Sequence, residues 1–380
     1  MVDGRQRRVA SRRCGAVAAI AAVALALTAG CSRADGADVL AVVTDLYARP
    51  GRLVMLPDGR RLNLRCSGKG SPTVVLESGF GAGASAWGKV QPQLSRTTRV
   101  CAYDRAGYGF SDPGPLPRDA AAIARDLDQA LAKAGIKGPF IVVGHSAGGM
   151  YARVFAARRP RQVVGLVLLD PTVEHRAPRP VGDGLDGIRN RVRRCLAASA
   201  ATPRPPLDSP AWSGCQPARP SSRDVEVTLR SDTWLGQLSE LDELFRRASE
   251  QVMRARGQLR SVPTYVITAS ATSANAFSYG LDGKTLLEIE HLQIAHAAQN
   301  GSQRTVESSH LVMIDRPDVV IAAVSEMIDA ARVQRQPAPL PPSEGPILPE
   351  TDILQELFAN QRALLAPPDQ MPGLPSPESN

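Results

Sequence analysis

Two hydrophobic periods alternate along this chain. Thr73–Glu77 (TVVLE), 99–103 (RVCAY), 140–143 (FIVV), 163–169 (VVGLVLL) and 263–268 (PTYVIT) are short, mostly apolar and rich in β-branched residues, as strands covered on both faces are. Residues 120–134 (AAAIARDLDQALAKA) instead repeat apolar positions at helical spacing and stop at Gly135. Further helices are expected at 147–158, 284–299 and 318–332, the last with Pro317 pre-setting its first turn. Segments 53–56 and 61–66 flank Pro57-Asp58-Gly59, a hairpin signal, and a short strand is expected near 303–307. Strands that alternate with helices predict a mostly parallel, eight-stranded sheet with helices on both faces.

Residues 171–262 break that rhythm. Pro, Arg and Gly are frequent there, and VTLRSDTWLGQLSELDELFRRASEQVMRAR reads as helical. An insertion of this size between two core strands is expected to form a helical cap, with the core in two parts, 51–170 and 263–334. After residue 334 the chain becomes rich in proline, and 335–380 is expected to be a largely disordered tail.

One junction between the two periods carries candidate chemistry. The strand FIVV runs into Gly144-His145-Ser146-Ala147-Gly148 and a helix follows at once. This strand, sharp turn and helix form a nucleophile elbow, which lifts the Ser146 hydroxyl to the carboxyl end of a sheet. Glycines at 144 and 148 remove the Cβ atoms that would crowd so tight a turn.

The first thirty residues change the meaning of the net charge of +8. Arg5, Arg7, Arg8, Arg12 and Arg13 precede a short apolar run and Leu27-Thr28-Ala29-Gly30-Cys31. Residues 1–30 read as a secretory signal of lipoprotein type, with Cys31 as the acylated new N-terminus and 31–50 as a tether. Ser11-Arg12-Arg13 is also compatible with a twin-arginine signal, so the export route stays open. Five Arg and one Asp leave with the leader, so half of the positive excess goes with it. No basic stripe with interleaved aromatics remains, and nucleic acid is not an expected partner. Cys66, Cys101, Cys195 and Cys215 form an even set, as expected in an oxidising compartment, and their spacing suggests no metal site.

Five ordered segments resemble the α/β-hydrolase superfamily: VVLESGFGAGASAW (74–87), VCAYDRAGYGFSDP (100–113), GHSAGG (144–149), VVGLVLLDP (163–171) and SSHLVMIDRPDVV (308–320). The resemblance spans roughly residues 51–334 and implies the α/β-hydrolase fold with a cap. It implies Ser146 as nucleophile, His310 as base, and the Phe80 and Ala147 N–H groups as the oxyanion hole. Ser78 departs from the histidine usual at its position. His145 is expected to pack, and His291 and His296 to lie on a helix surface. The strand at 263–268 has no acid directly after it, so Asp170, ending LVLLD, is the preferred third member; Asp282 and Glu174 remain alternatives. Asp104, Arg105 and Ser111 are expected to brace the loop beneath the site. In the implied topology Cys66 and Cys101 lie on neighbouring strands and pair, and Cys195 pairs with Cys215 in the cap.

The resemblance thus implies an exported serine hydrolase of carboxylic esters that requires no metal or cofactor. Its partners would be a small ester substrate and, through Cys31, the membrane. Amide or aminopeptidase chemistry on the same fold, or a non-catalytic binding lipoprotein, are the alternatives. Serine at the elbow separates the chain from epoxide hydrolases and haloalkane dehalogenases, which carry aspartate there. The cap gives no substrate identity; Trp212, Trp234 and Leu235 are candidates to line an apolar cavity, with core packing the favoured reading.

Overall fold

The structure is a computed structural model that describes residues 46–174, 185–216, 222–274 and 285–333. The leader, Cys31, most of the tether, His175, Asp282 and the proline-rich tail lie outside the described residues. Eight strands form one sheet: β1 (Arg52–Met55), β2 (Arg61–Ser67), β3 (Thr73–Glu77), β4 (Val100–Tyr103), β5 (Phe140–His145), β6 (Val163–Leu169), β7 (Thr264–Ala269) and β8 (Gly301–Val306). Their order is β1-β2-β4-β3-β5-β6-β7-β8. Only the β1–β2 and β2–β4 pairs are antiparallel; β3 through β8 run parallel. The hairpin expected at Pro57-Asp58-Gly59 joins β1 to β2, and Gly59 supplies the positive φ of 84° that the turn needs.

Near-continuous apolar runs suit a sheet buried on both sides. Along β5, Phe140 and Val142 enter one core cluster, and Ile141 and Val143 enter the other. Helices α1 (Ala120–Lys133) and α2 (Ala147–Arg158) supply the first cluster. The second is closed by the helix Pro317–Val333. Asp119 caps α1 by accepting from the Ala122 N–H at 2.9 Å, and Gly135 ends it.

Between β6 and β7 the chain leaves the sheet for a helical insertion. It contains α3 (Asp186–Ala200), α4 (Ser231–Glu243) and α5 (Ser249–Leu259). The helical reading of this region holds over most of its length. A wide turn over Leu244–Ala248, with Arg246 at φ −108° and ψ −107°, divides α4 from α5. Trp212 and Trp234 are buried in the insertion's own cluster with Val192, Cys195, Cys215 and Leu241. They are core rather than cavity lining, whereas Leu235 is exposed. Cys195 is bonded to Cys215 within this unit. Cys66 and Cys101 face each other in the β2–β4 register and are also bonded.

Glu174 fastens both ends of the insertion. It lies on the outgoing segment, accepts from Arg153 of α2 at 2.7 Å, and accepts from Arg256 of α5 at 2.7 Å. Among the described residues no helix is long and apolar enough to cross a membrane. The last labelled helices are α6 (Leu286–His296) and α7 (Pro317–Val333).

Candidate active site

Ser146 sits between β5 and α2 with φ 53° and ψ −127°. Such a backbone costs a non-glycine residue of order 1–3 kcal/mol and persists only where its surroundings impose it. Here they do. The Ser146 N–H donates to Leu169 O at 3.0 Å, and its carbonyl accepts from Gly149 and Thr172 at 2.9 and 3.0 Å. A Cβ on Gly144 would lie 2.6 Å from Gly148 O, and one on Gly148 would lie 2.5 Å from Ser78 O. Both positions are closed to any larger residue, which is why the elbow reads so clearly in the sequence.

Asp170 directly follows β6, the neighbouring strand. Its φ is 43°, a left-handed conformation that a short polar side chain tolerates better than most. The buried carboxylate accepts from the Ala269 N–H at 3.0 Å and from His310 Nδ1 at 2.6 Å. Burial raises its pKa, but the hydrogen bonds from His310, Ala269 and Thr272 outweigh it and hold the group below the usual carboxylate range. A carboxylate only accepts, so His310 carries its proton on Nδ1 and presents an Nε2 lone pair. Glu174 is committed to Arg153 and Arg256 instead, and Asp282 lies outside the described residues.

His310 lies after β8, in a loop where the Ser309 N–H donates to Asp315 at 3.0 Å. It is tied to the elbow by His145. The His145 Nε2–H donates to the His310 carbonyl at 2.8 Å, and the two ring centroids are 4.7 Å apart. Burial first, and then the neighbouring His310, push the His145 pKa down to about 4, so this ring is neutral near pH 7. Among the described residues no hydrogen bond within 3.5 Å joins Ser146 Oγ to the His310 ring. Catalytic hydrogen bonds are often long in unliganded sites and tighten when substrate binds.

The loop after β3 forms the opposite wall. Ala147 opens α2, so its N–H has no partner within the helix. Gly79 approaches the elbow so closely that a Cβ there would be 3.1 Å from Ser146 Cβ. Asp104 and Ser111 brace this region as expected. Asp104 accepts from Ala84 N at 2.8 Å and Asn63 Nδ2 at 2.8 Å, and Ser111 Oγ donates to Asp104 O at 2.6 Å. Ser78 also finds a structural use: its hydroxyl donates to Gly83 O and accepts from Trp87 Nε1. Arg105 is fully buried and gathers residues that sequence reasoning missed, Glu77, Glu240, Tyr108 and Tyr151. Glu77 gave one signal, a charge ending a buried strand. Glu240 gave none, because it sits 135 positions beyond Arg105 in a different segment.

His291 corrects another expectation. It is wholly buried rather than on a helix surface, with Nδ1 2.8 Å from Thr268 Oγ1 and Nε2 donating to Pro171 O at 2.8 Å. His296 is exposed, as expected.

Comparison with known proteins agrees with this architecture. Residues 74–323 match the alpha/beta hydrolase family, and the chain belongs to it. Curated relatives are matched only over part of their length. An uncharacterised protein of Schizosaccharomyces pombe is 44% identical over 81 residues, covering 21% of this chain and 15% of that one. A 2-hydroxy-6-oxo-2,4-heptadienoate hydrolase of Pseudomonas putida is 35% identical over 150 residues, covering 38% of this chain and 52% of that one. Among solved structures, a putative lipase from Acinetobacter baumannii aligns with a TM-score of 0.56 at 14% identity, covering 80% of this chain and all of that one. The epoxide hydrolase CorEH aligns with a TM-score of 0.54 at 18% identity, covering 74% and 99%. These likenesses share the fold across different chemistries, so the reaction must be argued from the site.

Proposed function

We propose that this chain is a serine hydrolase that cleaves carboxylic esters through an acyl-enzyme. The observation that carries the reading is the 2.6 Å contact between His310 and Asp170 beside a strained elbow serine. Ser146 Oγ attacks the ester carbonyl carbon as His310 Nε2 takes its proton, and Asp170 stabilises the imidazolium through Nδ1–H. The carbonyl oxygen becomes an oxyanion facing the Phe80 and Ala147 N–H groups. Each such donor is worth about 3–4 kcal/mol of barrier. The C–O bond to the alcohol breaks as His310 returns its proton to the leaving oxygen. Water then gives a proton to His310 and attacks the acyl carbon, and the bond to Ser146 Oγ breaks as His310 returns that proton to Oγ, releasing the acid. An elbow aspartate, by contrast, would attack as a carboxylate with no need to lose a proton. Serine at 146 with an imidazole held nearby supports the serine route over the epoxide-opening one.

A fluorophosphonate probe tests this directly. The purified protein is expected to label on Ser146, and Ser146→Ala to lose both the label and on the order of a millionfold in turnover of p-nitrophenyl esters. Folded wild-type protein that refuses the probe would reject the enzyme reading in favour of a binding protein. Faster turnover of matched anilides than of esters would move the substrate class to amides.

Export belongs to the same proposal, with residues 1–30 removed and Cys31 lipidated. The two disulfides support an oxidising destination. Metabolic labelling with an alkynyl fatty acid is expected to mark the wild type and not Cys31→Ser.

A further inference from the structure

The residues that hold Arg105 come from three separate parts of the chain. Arg105 follows β4 and is only 2% exposed. Its Nη1 donates to Glu77 Oε1 at 2.9 Å and to the Ser78 carbonyl, and its Nη2 donates to the Gly79 carbonyl at 2.8 Å. The same Nη2 lies 3.1 Å from Glu240 Oε1, which belongs to α4 of the insertion. Glu240 also accepts from Tyr108 at 2.9 Å and Tyr151 at 3.0 Å, and the Gly81 N–H reaches the Tyr108 hydroxyl at 3.4 Å. The guanidinium lies over both tyrosine rings, 4.6 and 5.4 Å from their centroids.

This arrangement has a directional consequence. In a trans peptide the C=O and the following N–H point in opposite directions. With the Ser78 and Gly79 carbonyls drawn to Arg105, the Gly79 and Phe80 N–H groups are turned away from it. Gly79 packs against His145 and Ser146, and Phe80 is one of the two proposed oxyanion donors. The Phe80 ring also packs against the insertion's apolar cluster, so the insertion touches this loop through a second route.

We propose that Glu240 is a positioning residue for the oxyanion hole, acting from the cap through Arg105 to fix the Gly79–Phe80 peptide with its N–H toward the substrate carbonyl. This inference rests on the serine-hydrolase reading for its catalytic consequence, but not for its structural one. Arg105 suits the task because a planar fork can serve several acceptors at once, which a lysine ammonium on a flexible stem does not reproduce. Two carboxylates share one guanidinium here. Glu240→Gln therefore leaves a balanced Glu77–Arg105 pair and preserves side-chain volume, so the fold is expected to survive.

The test compares wild type, Glu240→Gln, Tyr108→Phe and Arg105→Lys on p-nitrophenyl esters. Binding of a trifluoromethyl ketone, whose serine adduct carries an oxyanion, is measured alongside. Losing an oxyanion donor costs about 10²–10³ in kcat, so a displaced one is expected to cost Glu240→Gln at least about tenfold, with KM within about twofold. Ketone affinity should fall in step with kcat/KM, and thermal stability should stay near wild type. Amide hydrogen exchange of residues 79–81 should quicken by about tenfold or more in both Glu240→Gln and Tyr108→Phe. Unchanged kcat and ketone affinity in stably folded Glu240→Gln would overturn the proposal, as would rate loss confined to KM. Should wild type neither turn over esters nor bind the ketone, the enzyme reading fails by itself. Amide exchange then decides the tether: faster exchange keeps it and unchanged exchange rejects it.

Discussion

Asp170 directly follows β6, His145 ends the neighbouring β5, and they treat their protons in different ways. Asp170 keeps its charge under burial because three groups donate to it, and His145 loses its charge because burial and the neighbouring His310 outweigh its hydrogen bond to the His310 carbonyl and the pull of Asp170. For Asp170→Asn, a side chain of similar shape can keep the Ala269 contact through its amide oxygen. Its amide nitrogen cannot accept from His310 Nδ1, so the imidazole tautomer is no longer fixed. Turnover of an ester is expected to fall on the order of ten-thousandfold with little change in stability. Wild-type turnover in this variant would return the role of third member to another acid. His145 makes a prediction about pH. In the unfolded chain it titrates near 6.5, and in the folded protein near 4. Between those values the unfolded chain binds a proton that the folded one refuses. Its contribution to stability is therefore complete above pH 6.5 and is lost as pH falls to 4, by about 3 kcal/mol in all. Urea unfolding across this window should show a shallower pH dependence in His145→Gln than in wild type.

Elements differ in how openly their sequences announce them. The sheet was legible because strands covered on both faces are apolar along most of their length, as β3, β5 and β6 are. β8 was harder to place because it is a sheet edge of polar, partly exposed residues, GSQRTV, and its start lies two residues before the expected one. The elbow was legible for a different reason: close backbone contacts exclude side chains at Gly144 and Gly148, so geometry left a mark in residue choice. The pairing of His310 with Asp170 was implied by the resemblance carried by LVLLD and SSHLV, and the two side chains do meet. The Glu77–Arg105–Glu240 group was hidden. Its members are ordinary charged residues whose meaning comes from burial, and nothing local in α4 distinguishes Glu240 from its exposed acidic neighbour Asp242. His291 was misjudged on the same ground. A histidine on a helix says little until the carbonyl it satisfies, here that of Pro171, is known.

At the scale of the whole molecule, two assemblies meet at one mouth. The core supplies the elbow, the imidazole and the carboxylate, and the insertion supplies a separately packed lid held by its own disulfide. The join between them is apolar where Leu244, Ala248, Val252 and Leu259 enter the first core cluster, and polar at Glu174. Glu174 is 1% exposed in its side chain and Arg153 5%, so removing the carboxylate strands a buried cation. Glu174→Gln is expected to lower stability by about 3 kcal/mol, read as a shift of the urea midpoint, with Arg256 contributing little because it is half exposed. A smaller loss would mean that water reaches Arg153 when its partner is neutral.

That single carboxylate also has a consequence for how such proteins diversify. Because it clips the outgoing and returning segments of the insertion to the elbow helix, the stretch between the clips can change its lining, outside the Glu240 contacts, while the reacting groups keep their register. Exchanging that stretch for one from another member of the family, with Glu174, Arg153, Arg256 and the Glu240 contacts to Arg105 kept, should redirect which molecules are admitted and leave the chemistry performed on them the same.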